Sequence, residues 1–390
     1  MFTRNFTLVL LSNIILGAPM PMLIILGGLA GAYLSPVSYA ATLPPSIQML
    51  AGVIVAAPIS LLMGRQGRKV GFLLATGLLI CGGILGVCAL FWHNFILLCM
   101  SHALLGGALV GINFFRFAAA EAVPKHQQSK AISYTLASGL VAAIIGPELF
   151  SYSKDMLAPV PFAGAYSAIV LLGITGAIPV LMLQINKATN GPINPSDDKY
   201  APFRRPKVII AISGAAVSQA IMVLLMVPTA IAMVGCGFGE DQAADVIKWH
   251  VIAMFAPGFF TGGLIQKFGA LRIVMIGLVL LASSSITAML GVEITNFYGA
   301  LVLLGIGWNF GFIGSTHLLQ SSLAVKERPM VQGVNDTITA IVSSAASLLS
   351  GALYFGIGWS SIAVSGLVII LIFMVIFGTA TKKIPQMQKP

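Results

Sequence analysis

Between Arg4 and Arg65 the chain carries no Asp, Glu, Lys or Arg, and the same is true between Lys69 and Arg116. Each gap is long enough for two bilayer crossings at roughly 20 apolar residues apiece, so each reads as a helix pair. A soluble core does not demand such stretches. With 58% hydrophobic and 8% charged residues over 390 positions, the chain stands well outside soluble domains, which carry about 25% charge. A membrane β-barrel would show short alternating segments; these runs are continuous and rich in Leu, Ile, Gly and Ala, so the expected class is an all-α integral membrane protein.

Punctuation by charged, Pro, Gly and Asn residues gives twelve candidate spans, near 7–31, 43–63, 71–92, 95–120, 129–150, 161–184, 208–234, 245–265, 271–291, 297–322, 331–356 and 359–380. The long polar segment "NKATNGPINPSDDKYAPFRRPK" has no apolar period and divides the chain into a six-helix bundle over 1–185, a linker over 186–207 and a second six-helix bundle over 208–390. Ala30-Gly31-Ala32 has the small residues of a signal-peptidase site. The apolar stretch before it exceeds a signal core and pairs with a second span, so span one is expected to stay. Cys81 and Cys88 lie about 10 Å apart along a helix, beyond disulfide reach; with Cys99 and Cys236 they read as packing residues.

Basic residues set the orientation. With a cytoplasmic amino terminus, 18 of the 21 Lys and Arg fall on inner segments, Lys154 and Lys248 near the outer side, and Arg116 within a span. Glu148, Asp155, Glu240, Asp241, Asp245 and Glu293 collect outside. Both termini are therefore expected in the cytoplasm. The net charge of +10 reports topology, and nucleic-acid binding is excluded.

The two bundles resemble each other. "GINF" from Gly111 in span four recurs as "GWNF" from Gly307 in span ten. The turn after span two, "SLLMGRQGRKV", has its counterpart in "GGLIQKFGALRIV" after span eight, and each follows an Ala-Pro pair, at Pro58 and Pro257. Paired six-helix repeats are a transporter architecture.

On these residues the chain resembles the major facilitator superfamily over essentially its whole length. The family's loop signature, Gly-x-x-x-Asp-Arg-x-Gly-Arg-Arg/Lys, is matched at Arg65, Gly67, Arg68 and Lys69, whereas Ser60 and Gly64 replace the first Gly and the Asp. In the second half Gly262, Lys267 and Gly269 match and Gln266 replaces the acid. Arg65 and Arg68 are thus gate candidates without their usual acids, and Glu121 is placed to supply a carboxylate to Arg68. "RFAAAE", "MFAPGFFTG", "GWNF" and "VQGVND" are similar to a bacterial branch that includes riboflavin transporters. The helix-five antiporter motif is partial, since Glu148 and Leu149 follow Gly146-Pro147. The resemblance implies two pseudo-symmetric six-helix bundles, alternating access, a cavity lined by helices one, four, seven and ten, and a monomer in a bacterial inner membrane.

Candidate site residues lie on those four helices. At 100° per residue His102, Asn113 and Arg116 fall within about 60° of one another on span four, beside Gly106. A charge at that depth normally faces a bundle interior or aqueous cavity. Its guanidinium suits carboxylate, phosphate or a polar ring, or else it snorkels from about 12 Å depth to the interface or pairs with Glu121. On span ten Asn309, Thr316 and Gln320 share a face flanked by Trp308 and His317, which suits a ring-bearing solute. Asn13 on span one and Gln219 on span seven complete the set, with helix–helix hydrogen bonding as their other use. Pro19, Pro21 and Pro228 are expected to break or bend spans one and seven. The coupling candidates are Glu121, Glu148, Asp336, His102 and His317; Asp336 also reads as a helix-start residue and Glu148 as interfacial.

No G-x-S-x-G elbow, H-E-x-x-H pair, metal-spaced His/Cys cluster or phosphate loop occurs, so no catalytic residue, cofactor or metal is expected. The expected function is secondary active, proton-coupled import of a polar aromatic or anionic metabolite such as a flavin or a chelate, with membrane lipid as the other partner. The alternative is proton-driven efflux of amphipathic drugs or metabolites. Arg116 and the partial antiporter motif favour import; 17 Met and 22 Phe suit the alternative.

Overall fold

The computed structural model describes residues 3–124, 127–184, 200–324 and 327–382, and no strand occurs among them. Twelve helical segments follow in order: α1 (Arg4–Leu34), α2 (Leu43–Gln66), α3 (Arg68–Phe91), α4 (Phe95–Glu121), α5 (Gln128–Ser153), α6 (Ala163–Leu181), α7 (Pro206–Gly235), α8 (Glu240–Phe255 with Gly258–Phe268), α9 (Ala270–Met289), α10 (Ile294–Ser321), α11 (Arg328–Ile357) and α12 (Trp359–Lys382). Ten are long and apolar enough to cross a bilayer singly, and the two limbs of α8 make an eleventh when taken together. The 26-residue α5, about 39 Å long, is more polar but takes its place in the bundle. Of the linker expected over 186–207, residues 186–199, with Lys187 and Lys199, lie outside the described residues, as do Lys125, Lys326, Lys383 and Lys389.

Packing repeats with a period of six helices. In the first half α3 lies against α4 and α6, α2 against α4, and α1 against α5 and α6; in the second, α9 lies against α10 and α12, α8 against α10, and α7 against α11 and α12. Between halves, α2 meets α11, α5 meets α8 and α1 meets α7, the pairings that a two-fold pseudo-symmetry requires. The repeat extends to backbone conformation. Gly67 after α2 and Gly269 after α8 have φ of 100° and 86°, a left-handed region that a Cβ disfavours by about 1–2 kcal/mol. Both turns of the loop signature therefore keep their glycine although both have lost the acid.

Several helices are interrupted. α1 breaks after Gly17, where Pro19 has no N–H to continue the ladder. α4 breaks after Asn113, and the limbs of α8 meet at 40° beside Pro257. α10 contains a π-turn over Asn309–Ile313. The break expected at Pro228 is absent: α7 runs unbroken for 30 residues with that proline inside it.

Candidate functional site

On the side away from the chain termini, ion pairs seal the two halves. Lys248 of α8 lies 2.7 Å from Glu148 of α5 and also pairs with Asp245; Tyr298 donates to Asp245. Lys154, just past α5, lies 3.1 Å from Glu240 of α8 and 2.7 Å from Asp155. Burial pulls the Lys154 ammonium down, but its hydrogen bonds to Asp155 and Glu240 outweigh this and hold it above the usual lysine range. Deeper in the same interface the Ser46 hydroxyl of α2 and the Ser347 hydroxyl of α11 are hydrogen-bonded at 2.8 Å, and Ser344 donates to the Ser46 carbonyl at 2.9 Å.

An open cavity of about 270 Å³ lies between the halves, lined by Met49 of α2, Gln219 of α7, Phe312 of α10, and Thr339, Ala340 and Ser343 of α11. The Trp308 indole donates to Gln219 Oε1 at 2.8 Å and stacks on Phe312, with ring centroids 5.1 Å apart and planes inclined by 11°. Phe255 meets Trp308 edge-on. A small recess beside it, about 20 Å³, is lined by Thr316, Gln320, Arg328, Asn335 and Asp336 among others. Asp336 of α11 lines this recess, and Arg116 of α4, which is exposed, attracts it electrostatically across the halves.

The structure divides the sequence candidates. Gln219 lines the cavity and Thr316, Gln320 and Asp336 line its recess; Trp308 is half-buried against Gln219 and Phe312, and Asn113, Arg116 and His317 are exposed. His102 does not join them. It is fully buried, Nδ1 lies 2.8 Å from Gln48 Oε1 and Nε2 lies 2.7 Å from the Tyr166 hydroxyl, so the ring is fixed inside the first half between α2 and α6. His102 and Asn113 share the unbroken limb Phe95–Asn113, so it is depth, about 16 Å along the helix, that parts them, and the break after Asn113 separates only Arg116 from that limb.

Asn309 also leaves the expected face. Its Nδ2 donates to the Met254 carbonyl at 2.7 Å and its Oδ1 accepts from Thr261 at 2.6 Å, which pins both limbs of α8 where that helix bends. The π-turn that begins at Asn309 has a wider turn than an α-helix and separates its face from that of Thr316 and Gln320. Asn13 donates to Ser138 and to the Thr135 carbonyl of α5, a helix–helix staple. Arg68 grips Glu121 through Nε and one terminal nitrogen, 2.7 Å at the closest, while Arg65 is exposed. Arg205 makes a comparable pair with Glu327, 2.7 Å away, and the hydrogen bond raises its pKa.

Three features had no local signal. Gln48 and Tyr166 are far from His102 in sequence, the Phe312 platform depends on the π-turn, and Thr339 with Ser343 reads as ordinary helix polarity. Among the described residues no group of three His, Cys, Asp or Glu is placed to hold a metal.

Two pseudo-symmetric helical bundles that close on one side over an aromatic, hydrogen-bonding cavity define a membrane transporter. No family model matches the chain. Among curated proteins it is 36% identical over 364 residues to the riboflavin transporter RfnT of Brucella anthropi, covering 92% of this chain and 91% of that one. It is 27% identical over 395 residues to the uncharacterized MFS-type transporter YdeG of Bacillus subtilis, with 96% and 91% covered. Among solved structures, a bacterial homolog of the human lysosomal transporter Spinster, inward-facing and occupied, superposes with a TM-score of 0.72 at 14% identity over 99% of this chain and 98% of that one. The chain belongs to the major facilitator superfamily.

Proposed function

We propose that the protein is a proton-coupled importer of a riboflavin-like solute in a bacterial inner membrane, with both termini in the cytoplasm and the cavity open to that side. The observation that carries the reading is the Trp308–Phe312 stack, held by Gln219 at the wall of a cavity between the halves. A flat, rigid aromatic face is a sequence-tolerant platform for a planar ring system. The 36% identity to a riboflavin transporter points to the same solute class, and the bias of Lys and Arg toward one set of loops supports the orientation. Arg116 and Asp336, facing across the open mouth, act as the gate that draws the halves together when the cytoplasmic side closes.

The test is uptake into proteoliposomes under an inward proton gradient, using radiolabelled riboflavin, a small organic acid, an iron chelate and a cationic dye. Expected is gradient-dependent riboflavin accumulation, lowered at least about tenfold by Trp308→Ala, a loss typical of an aromatic anchor. Dye movement driven by a reversed gradient, with riboflavin ignored, makes the protein an exporter of amphipathic compounds instead. Riboflavin accumulation unaffected by dissipating the proton gradient removes the coupling assignment.

A further inference from the structure

The cavity has a hydrogen-bonding polarity that follows from its neighbours. Thr339 donates its hydroxyl to the Asn335 and Asp336 carbonyls, at 3.0 and 2.9 Å, and Ser343 donates to the Thr339 carbonyl at 2.7 Å. Both hydroxyl protons are thereby committed to the α11 backbone, which leaves only oxygen lone pairs to a ligand. Gln219 is committed in the opposite sense. An indole N–H only donates, so the amide oxygen faces Trp308 and the amide NH₂ remains to donate. None of the six lining residues is charged.

We infer that Thr339 and Ser343 are specificity-determining residues that read the hydroxyl donors of a neutral aromatic solute with a polyhydroxylated chain, the ring lying on the Trp308–Phe312 side. This rests on the importer reading and narrows it. Two acceptors one helical turn apart suit successive O–H groups of a sugar-alcohol or ribose chain. An anion has no countercharge among the lining side chains, and desolvating an unpaired charge is strongly unfavourable. The phosphorylated form of the same solute, organic acids and anionic chelates are therefore poor ligands. Arg328 and Asp336 line the neighbouring recess and not the cavity itself, and Arg116 lines neither, so none of them is a countercharge at the cavity wall.

The experiment uses the purified full chain in detergent and in proteoliposomes. Thermal-shift binding is measured for two matched pairs, riboflavin against lumiflavin and adenosine against adenine, together with flavin mononucleotide. Wild type is compared with Ser343→Ala, Thr339→Val and the double variant; riboflavin uptake is followed in parallel. Expected is a preference of about tenfold or more for riboflavin over lumiflavin, and weaker binding of flavin mononucleotide than of riboflavin. The double variant should lose about tenfold in riboflavin affinity while lumiflavin affinity stays unchanged. An equal loss for both members of a pair, no preference in wild type for the hydroxylated member of either pair, or flavin mononucleotide binding as tightly as riboflavin overturns the inference. If no flavin is transported, the importer reading fails on its own; a preference for adenosine over adenine that the double variant abolishes then still upholds the hydroxyl-reading role.

Discussion

Lys248 reaches from the second half of the molecule to hold Glu148 of the first, 2.7 Å away, across the face opposite the termini. Lys154 repeats the arrangement in reverse, from the end of α5 to Glu240 of α8. Two lysines from different halves thus clamp the same helix pair. Exposed pairs of this kind contribute ~0.2–1 kcal/mol each, so removing both is expected to shift the balance toward the state open on this face by roughly 2- to 30-fold. Pulsed electron–electron distances between spin labels on α5 and α8 would read that shift for Lys154→Gln with Lys248→Gln. High salt should move the wild type the same way. A charge reversal, Glu148→Lys with Lys248→Glu, should restore the wild-type distance distribution only in part, because Asp245 then faces a second carboxylate.

His102 and Arg116 sit on the same helix and are expected to fail in different ways. Replacing His102 by Ala strands the Gln48 and Tyr166 partners inside the first half. Leaving buried polar groups unpaired costs about 1–3 kcal/mol, so the melting temperature should fall while the KM of surviving protein stays near wild type. Arg116 is exposed; Arg116→Ala should leave the melting temperature nearer to wild type than His102→Ala does, and lower transport. A stable His102→Ala protein with altered solute affinity would place that histidine in the solute path after all.

The helical two-bundle fold and the pairing of the two loop turns were legible because they depend on local signals: apolar length, charge punctuation and a recurring glycine spacing. The faces of the helices were not. A wheel at 100° per residue carries no information about the break after Asn113 or the π-turn at Asn309–Ile313, and both rotate what lies beyond them. Nor does a dipeptide settle a bend. Ala57-Pro58 sits inside an unbroken α2, while Ala256-Pro257 splits α8. The second site has a side chain from α10 that donates to the Met254 carbonyl, and that partner is 55 residues away.

Gly106 tests close approach without changing any polar group. A Cβ there would lie 2.0 Å from the Gln48 carbonyl oxygen of α2, a backbone atom that cannot swing aside. Gly106→Ala should therefore push α4 from α2 and disturb the Gln48–His102 bond, lowering the melting temperature by several degrees, as overpacking costs typically 1–3 kcal/mol. Gly64 has open space around it, and Gly64→Ala should leave the melting temperature equal or slightly higher, by about 0.4–1 kcal/mol in stability.

Asn309 connects the bend in α8 to the aromatic wall. Its side chain joins the Met254 carbonyl before the bend to the Thr261 hydroxyl after it, and the next residue toward the amino terminus is Trp308. Removing Asn309 leaves both groups without that partner in an interior that water does not reach, at about 1–3 kcal/mol. Thr261→Val removes one of the two contacts and should be milder. If Asn309 and Thr261 act together, the double variant should cost about as much as Asn309→Ala alone in a thermal unfolding cycle. Because the outer limb of α8 carries Lys248 and Asp245, Asn309→Ala should also broaden the α5–α8 distance distribution. Loss of stability with an unchanged distribution would make Asn309 a packing residue with no part in setting the angle of α8.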